Sequence, residues 1–278
     1  MSLKFGERTL VMGVVNLTPD SFSGDGRLRL GSNPAAHARF AAKLVRDGAD
    51  IIDLGGESTR PGAVPVSAKQ ELKRVIPVLR LLVRRSATPV SVDTYKPLVA
   101  QAALDEGAAI INNIMGTKPD KRLLKMVRDH NAYIVLMHMR GTPRTMQTRT
   151  HYRDVAADII KELRISIRIC LDIGIKKDKI VIDPGIGFAK TPTQNLEILN
   201  RLDEFKVLRR PILVGTSRKS FIGAVLGNKE KQRLWGTAAT VAMAVARGAD
   251  IVRVHDVGVM QDVVTMTDAI VRSNRSKQ

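Results

Sequence analysis

Three short apolar runs end at side chains that can share one ligand. Val90–Val92 ends at Asp93, Ala109–Ile111 at Asn112, and Ile180–Ile182 at Asp183. A carboxylate accepts two parallel N–H bonds, and an Asn both donates and accepts. That inventory suits the amidine-like edge of a flat heterocycle such as a pterin or a guanine. Lys219 is placed to donate to its carbonyl oxygen. A second group has the opposite sign. Arg60, Arg253 and His255, with Asn16, bring guanidinium, imidazole and amide donors. Arg matches phosphate oxygens bidentately, so this group reads as an anion site, and a diphosphate fits it. Asn16, with Asp20 nearby, offers hard oxygen, which suits Mg²⁺ held jointly with substrate phosphate. His138, inside Met137-His138-Met139, reads as structural.

These residues need a scaffold that brings distant strand ends together. Eight apolar runs recur along the chain. Val11–Val15 ends at Asn16, and Ile51–Leu54 leads into Gly55-Gly56-Glu57-Ser58-Thr59-Arg60. Tyr133–Met137 ends at His138, and Ile212–Val214 leads into Gly215-Thr216-Ser217-Arg218-Lys219. Ile251-Val252 ends at Arg253. Short β-branched and aliphatic runs read as strands buried on both faces, hence as a parallel sheet. Helix-length segments lie between them, near 34–47, 68–86, 97–107, 119–130, 153–173, 194–208, 230–247 and 258–272. The pattern predicts an α/β fold, a (β/α)8 barrel, in which strand C-termini converge on one face where the active site sits. Strands eight, one and two are then neighbours, which groups Arg253, His255, Asn16 and Arg60. The recurring pairs Gly48-Ala49, Gly107-Ala108 and Gly248-Ala249 predict one repeated helix-to-strand turn. Segments 16–33 and 55–67 read as long loops on the catalytic face.

The chain has 278 residues, and a barrel takes about 250, so the sequence reads as a single domain over 1–278. It is 44% hydrophobic and 26% charged, a globular composition. No apolar stretch reaches the roughly 18 residues of a membrane span, and Met1–Thr9 lacks a signal-peptide core. The expectation is a cytoplasmic protein that does not engage membranes. Cys170 is the one cysteine and reads as a small buried hydrophobe. The net charge is +18. Its cations (Arg46, Arg84-Arg85, Lys176-Lys177-Lys179, Arg209-Arg210, Arg247) fall after helices, where they complement the helix dipole on the face away from the site. Stacking aromatics are scarce, at 4%, which argues against nucleic acid as a partner. No zinc-type cluster, Ser–His–Asp spacing or Walker loop is present in the sequence.

At these residues the chain resembles the dihydropteroate synthases. Asn16-Leu17-Thr18-Pro19-Asp20-Ser21-Phe22-Ser23 is similar to the family's first loop, and Gly55–Gly62 to its second. Ser91–Thr94, Ile111-Asn112, Met137–Met139, Asp183-Pro184-Gly185, Ser217–Ser220 and Arg253–Asp256 follow in family order. The resemblance runs from about residue 10 to residue 257. It implies condensation of 6-hydroxymethyl-7,8-dihydropterin diphosphate with p-aminobenzoate, with release of diphosphate. Asp93, Asn112, Asp183 and Lys219 match its pterin-binding positions. Asn16, Arg60, Arg253 and His255 match its diphosphate and Mg²⁺ positions. Thr59, Pro61, Phe188, Lys219 and Ser220 match positions near p-aminobenzoate, the pocket that sulfonamides share. Asp93, Asp183, Lys219 and Arg253 are implied in catalysis, and a homodimer is implied as the assembly.

Three positions depart from the family pattern. Asn113 replaces an Asp, Ala189 stands where Gly is common, and Arg27 replaces a Gly. Asn113 follows Asn112 on a strand and so points to the opposite face. The rival readings are a pterin-binding methyltransferase on the same barrel, which needs no diphosphate clamp, and an inactive basic paralogue.

Overall fold

A computed structural model describes residues 3–18, 33–60, 62–227 and 233–272. The strands are β1 (Leu10–Asn16), β2 (Ile51–Gly55), β3 (Val90–Asp93), β4 (Ile110–Asn113), β5 (Tyr133–Met137), β6 (Ile180–Asp183), β7 (Leu213–Val214) and β8 (Ile251–Val254). All pair in parallel, in the order β6-β5-β4-β3-β2-β1-β8-β7. A parallel bridge between Ile182 and Ile212 joins the two ends. There the Ile182 N–H donates to the Pro211 carbonyl at 2.9 Å. The sheet thus curls into the anticipated (β/α)8 barrel, with its β6–β7 seam held by few bonds.

Side-chain alternation explains how one barrel holds both a core and a site. Outward residues such as Val11, Ile52, Val92, Ile111, Ile134, Ile182 and Val252 pack under the surrounding helices. Inward residues form a lower apolar layer of Leu10, Met12, Ile51, Ile110, Tyr133, Val135, Val181, Leu213 and Ile251. Two residues further along four of these strands, the inward position turns polar. Ile51 is followed by Asp53, Ile110 by Asn112, Val181 by Asp183 and Ile251 by Arg253. Period-two geometry therefore converts a sequence offset of two into a polar layer resting on an apolar one.

The helices are α1 (Pro34–Arg46), α2 (Ala68–Val83), α3 (Pro97–Asp105), α4 (Lys121–Asp129), α5 (Val155–Ile173), α6 (Pro192–Asn200), α7 (Ser220–Leu226), α8 (Leu234–Ala246) and α9 (Val257–Arg272). Local signals set their starts. Ser67 with Gln70 and Thr191 with Gln194 form capping boxes, and Asp120 and Asp154 cap α4 and α5. The repeated Gly-Ala turn is real. Gly48, Gly107 and Gly248 take φ of 106°, 94° and 96°, which glycine adopts without a Cβ clash. The following Ala donates to a carbonyl five residues back each time, at 2.9 Å.

Two expectations need correction. Residues 194–208 were expected as one helix. Instead α6 stops at Asn200, and Leu202–Leu208 continues as a 3₁₀ segment. Arg201, bonded to Glu197, Glu204 and Asp154, fixes that break. The second is α7, which was not anticipated. Its seven residues, Ser220–Leu226, are too few to display a helical period.

The chain ends are stapled at the bottom of the barrel. Buried Asp268 on α9 accepts from the Thr9 N–H at 2.6 Å, the Thr9 hydroxyl at 3.0 Å and Arg272 Nε at 2.8 Å. Removing a buried acceptor leaves its donors without partners, at about 1–3 kcal/mol each. Asp268→Ala should therefore lower Tm by several degrees while leaving ligand affinity intact, since the staple lies at the far end from the polar layer. Thermal unfolding of variant and parent checks this, and an unchanged Tm would refute the staple.

Candidate active site

The polar layer centres on an ion cluster. Arg253 donates from Nε to Asp53 Oδ2 at 2.7 Å and from Nη2 to Asp93 Oδ2 at 3.1 Å. Asn112 Nδ2 also donates to Asp53 Oδ2, at 3.3 Å. Strand register makes this possible, because Val14 on β1 lies opposite Asp53 and Met12 opposite Arg253. Gly55 lies opposite Asp93, and Asp93 opposite Asn112. Burial pushes the Asp93 carboxyl above the usual range; Arg253 pulls it back, and Asp53 pushes it up again. Burial works against the Arg253 cation, but Asp53 and Asp93 outweigh it.

Asp53 did not stand out in the sequence. It sits inside the apolar run Ile51–Leu54 rather than at its end, yet it is fully buried, and its Oδ1 has no hydrogen-bond partner among the described residues. A charged residue within a barrel strand was the available signal. A buried acceptor without a partner is costly, and this one belongs to a carboxyl already bonded to Arg253 and Asn112 in the polar layer.

Asp183 lies across the mouth. Its Oδ1 accepts from the Gly185 N–H at 2.7 Å. Burial raises its pKa, and Lys219 followed by the Gly185 N–H opposes that. Lys219 donates to the Ile186 carbonyl and stands 4.3 Å from the centre of the Phe188 ring. Burial depresses its pKa to about 8, against the pull of Asp183. Lys219 is aimed by its neighbour. Arg218 takes φ of 60°. It is held there by Asp256 at 2.9 Å, by its own N–H on Thr237 Oγ1 at 3.1 Å and by Arg233 on its carbonyl at 3.0 Å. Such strain persists only where surrounding bonds over-determine it.

The anion side differs from expectation in two respects. His255 is not a cation. Burial, then Arg253, Arg218, Arg60 and Lys219, push its pKa down to about 3. Its Nδ1 and backbone N–H both engage Ser217 Oγ, at 3.0 and 3.2 Å. It therefore serves as a neutral hydrogen-bonding group, and buried Ser217, which was quoted only for the resemblance, orients it. Arg253 is not confined to the anion side either. It bridges to Asp53 and Asp93, which joins the ring and phosphate halves through one guanidinium. Asn16 ends β1, and its Oδ1 lies beside Gly55, where even an added Cβ would stand 3.6 Å away.

Loop two is anchored from beneath. Glu57 accepts from Tyr95 Oη at 2.9 Å, from the Val66 N–H at 3.1 Å and from Lys96, which also bonds Glu71. This holds both ends of 57–66. Thr59 is half-buried and Arg60 exposed at the rim; Ser220 is exposed at the first turn of α7. Pro61, Pro19, Asp20 and Arg27 lie outside the described residues. His138 is structural, as expected. It is buried, its pKa lies near 4 through burial and Lys190, and it bonds Glu162 at 3.1 Å. Asn113 faces away from Asn112 and caps the loop by accepting from the Met115 N–H at 2.8 Å. Ala189 takes φ of 51°, a conformation suited to the Gly it replaces. Cys170 is buried, and burial raises its thiol pKa to about 12.

Comparison with known proteins agrees with this geometry. The profile of the pterin-binding enzymes matches residues 12–255. The dihydropteroate synthase of Synechocystis is 46% identical over 96% of this chain and 92% of its own. The chain belongs to the dihydropteroate synthase family. Its members are transferases of folate biosynthesis. A dihydropteroate synthase from Clostridium difficile, solved in the presence of pteroic acid, superposes with a TM-score of 0.89 at 45% identity, over 97% of this chain and 99% of the other. That of Yersinia pestis, solved with a sulfonamide drug complex, gives 0.90 at 38% identity, over 98% and 100%.

His138 and His255 supply a test. In the ligand-free protein both should remain neutral from about pH 5 to 8, outside the usual histidine behaviour. Their depressed pKa values also mean that stability falls as pH drops from the ordinary 6.5 toward 4 for His138 and 3 for His255. Imidazole ¹⁵N shifts through a pH titration check the first point, and a His255 transition near 6.5 would contradict it.

Proposed function

We propose that the chain joins 6-hydroxymethyl-7,8-dihydropterin diphosphate to p-aminobenzoate and releases diphosphate. The observation that carries the reading is the set of buried acceptors at the barrel mouth, Asp53, Asp93 and Asp183, interleaved with Arg253, Asn112 and Lys219. Asp183 has one oxygen on the Gly185 N–H and so keeps acceptor capacity for the N–H groups of the pterin edge. Asn112 donates or accepts beside it, and Lys219 donates to the pterin carbonyl oxygen.

The reaction breaks the bond between the exocyclic methylene carbon and the diphosphate oxygen. The electron pair leaves with the diphosphate, and positive charge spreads from the methylene into the ring. Asp53, Asp93 and Asp183 place negative charge around that cation. Arg253, Arg60 and neutral His255 donate to the leaving group. As negative charge grows on the diphosphate, Arg253 divides its donors between phosphate oxygen and Asp93. The aryl amine nitrogen then forms the new C–N bond and loses a proton. A neutral aryl amine needs no prior deprotonation, so the site requires no strong base. Thr59, Pro61, Phe188, Lys219 and Ser220 would surround the aryl amine, and loops one and two would exclude water from the cation.

Asn16 would hold Mg²⁺. Its amide oxygen lies beside Gly55, and no cluster of three His, Cys, Asp or Glu suited to a metal occurs among the described residues. A single hard protein oxygen completed by phosphate and water is the coordination Mg²⁺ favours. When bound, the ion would neutralise leaving-group charge. We place the enzyme in the cytoplasm as a homodimer. No helix among the described residues is long and apolar enough to cross a membrane.

A crossed experiment tests the division of labour. Asp183→Asn swaps an acceptor for a donor facing a ligand N–H. It should weaken a diphosphate-free pterin by about 1–3 kcal/mol. Asn16→Ala should leave that bare pterin untouched and lower kcat with the diphosphate ester, by analogy with losing one transition-state contact, on the order of 10²-fold. Calorimetry with the bare pterin and a diphosphate-release assay read both arms. Equal loss of bare-pterin affinity in the two variants would contradict the assignment.

A further inference from the structure

The most unusual buried cation outside the reacting layer is Lys190. It is 3% exposed and forms no ion pair among the described residues. Its ammonium donates to the Phe188 carbonyl at 2.8 Å, to His138 Nδ1 at 3.1 Å and to the His138 carbonyl at 3.5 Å. Charged groups are costly to bury without a counter-charge, and burial lowers its pKa to about 7. Its surroundings carry both signs. Asp183 and Glu162 favour the cation, whereas Lys219 and Arg140 oppose it.

Lys190 belongs to a closed circuit. His138 Nδ1 accepts from Lys190, so its Nε2 carries the hydrogen and donates to Glu162 at 3.1 Å. Glu162 also accepts from Arg140 Nε at 2.9 Å. The Arg140 guanidinium lies 4.0 Å from the centre of the Tyr152 ring, and Tyr152 Oη donates to the Ala189 carbonyl at 2.9 Å. The circuit thus grips two successive carbonyls, those of Phe188 and Ala189. It does so where Ala189 is held at φ of 51°.

The geometry points to Lys190 as a positioning residue for the aryl-amine half of the site, acting through Phe188. This rests on the functional reading given above, in which Phe188 lines the aryl-amine pocket. The Gly185–Lys190 loop is pinned at two independent ends. Its first end is fixed by the Gly185 N–H on Asp183, and Gly187 donates to Asn195 Oδ1 at 2.6 Å. Its second end, at Phe188 and Ala189, depends on Lys190 and Tyr152. The ring of Phe188 in turn faces the Lys219 ammonium. Loss of Lys190 should therefore release the Phe188 end and spare the pterin end. Asp183 retains Lys219 and the Gly185 N–H, both stronger influences on it than Lys190.

Lys190→Met keeps the chain length and removes the donors. With the pterin diphosphate saturating, KM for p-aminobenzoate should rise on the order of tenfold, with kcat little changed. The Kd of a diphosphate-free pterin should stay at the parent value. Tyr152→Phe, which removes only the bond to the Ala189 carbonyl, should move KM in the same direction by less. A merely structural role would lower Tm without this split. An unchanged KM, or a pterin Kd that rises in parallel with KM, overturns the inference. If Lys190→Met does not fold, Tyr152→Phe is judged by the same criteria. Parent enzyme that releases no diphosphate on addition of p-aminobenzoate would overturn the functional reading itself, and the parent control separates that failure from this one.

Discussion

Everything at the barrel mouth depends on one guanidinium. Arg253 on β8 lies between Asp53 on β2 and Asp93 on β3, strands from opposite ends of the chain that the β1–β8 pairing joins in one curled sheet. Without it, two carboxylates would face each other in a buried space, and at least one would take up a proton. With it, both carboxylates are engaged by one guanidinium, and in the proposed mechanism their charge would stabilise the cation. Such a cluster is poor evidence for stability, because desolvating three charges is costly. Its value lies in holding charge in place before the reaction starts, where a low-dielectric site makes that charge count. The apolar layer of Met12, Ile51, Ile110 and Val181 beneath supplies the rigid floor.

The polar layer is supported from both flanks by buried ionic groups that do not face the ring. On one side Lys96 ties Glu57 and Glu71 under loop two. On the other, Lys190, His138, Glu162 and Arg140 tie the loop after β6. Both use a buried lysine to hold the base of a catalytic loop. Loops are otherwise the most mobile parts of a barrel. Anchoring a loop at its base keeps the side chains near the strands fixed.

Much of this was legible in the sequence. Each strand carried its own apolar run, and on β3, β4, β6 and β8 the residue closing the run fell in the polar layer. Asp93, Asn112, Asp183 and Arg253 were visible for that reason. Asp53 was not, because Leu54 continues the run past it and hides a polar inward position within outward apolar ones. His255 was visible, but its charge was not. Its neutrality follows from burial among Arg253, Arg218, Arg60 and Lys219, a gathering of residues from loops two and seven and strand eight. Likewise, nothing local marked Lys190 as buried. Its partners lie 2 and 52 residues away in the chain. Helix α7 escaped notice because seven residues carry too little periodicity.

The central claim is that Arg253 holds down the pKa of the Asp93 carboxyl, which burial pushes up, so that it can accept from the pterin. The most direct test is the pH dependence of affinity for a diphosphate-free pterin, measured by calorimetry in the parent and in Arg253→Met. Asp93 already titrates above the usual carboxylate range, and Arg253 restrains that rise. Removing the guanidinium should push the carboxyl higher still. The midpoint at which affinity is lost on acidification should then move to higher pH, and affinity should recover as the solution becomes more alkaline. Arg253 also lowers the Lys219 pKa, so the Lys219 transition should likewise move to higher pH in the variant. Superimposable profiles for parent and variant would contradict the account.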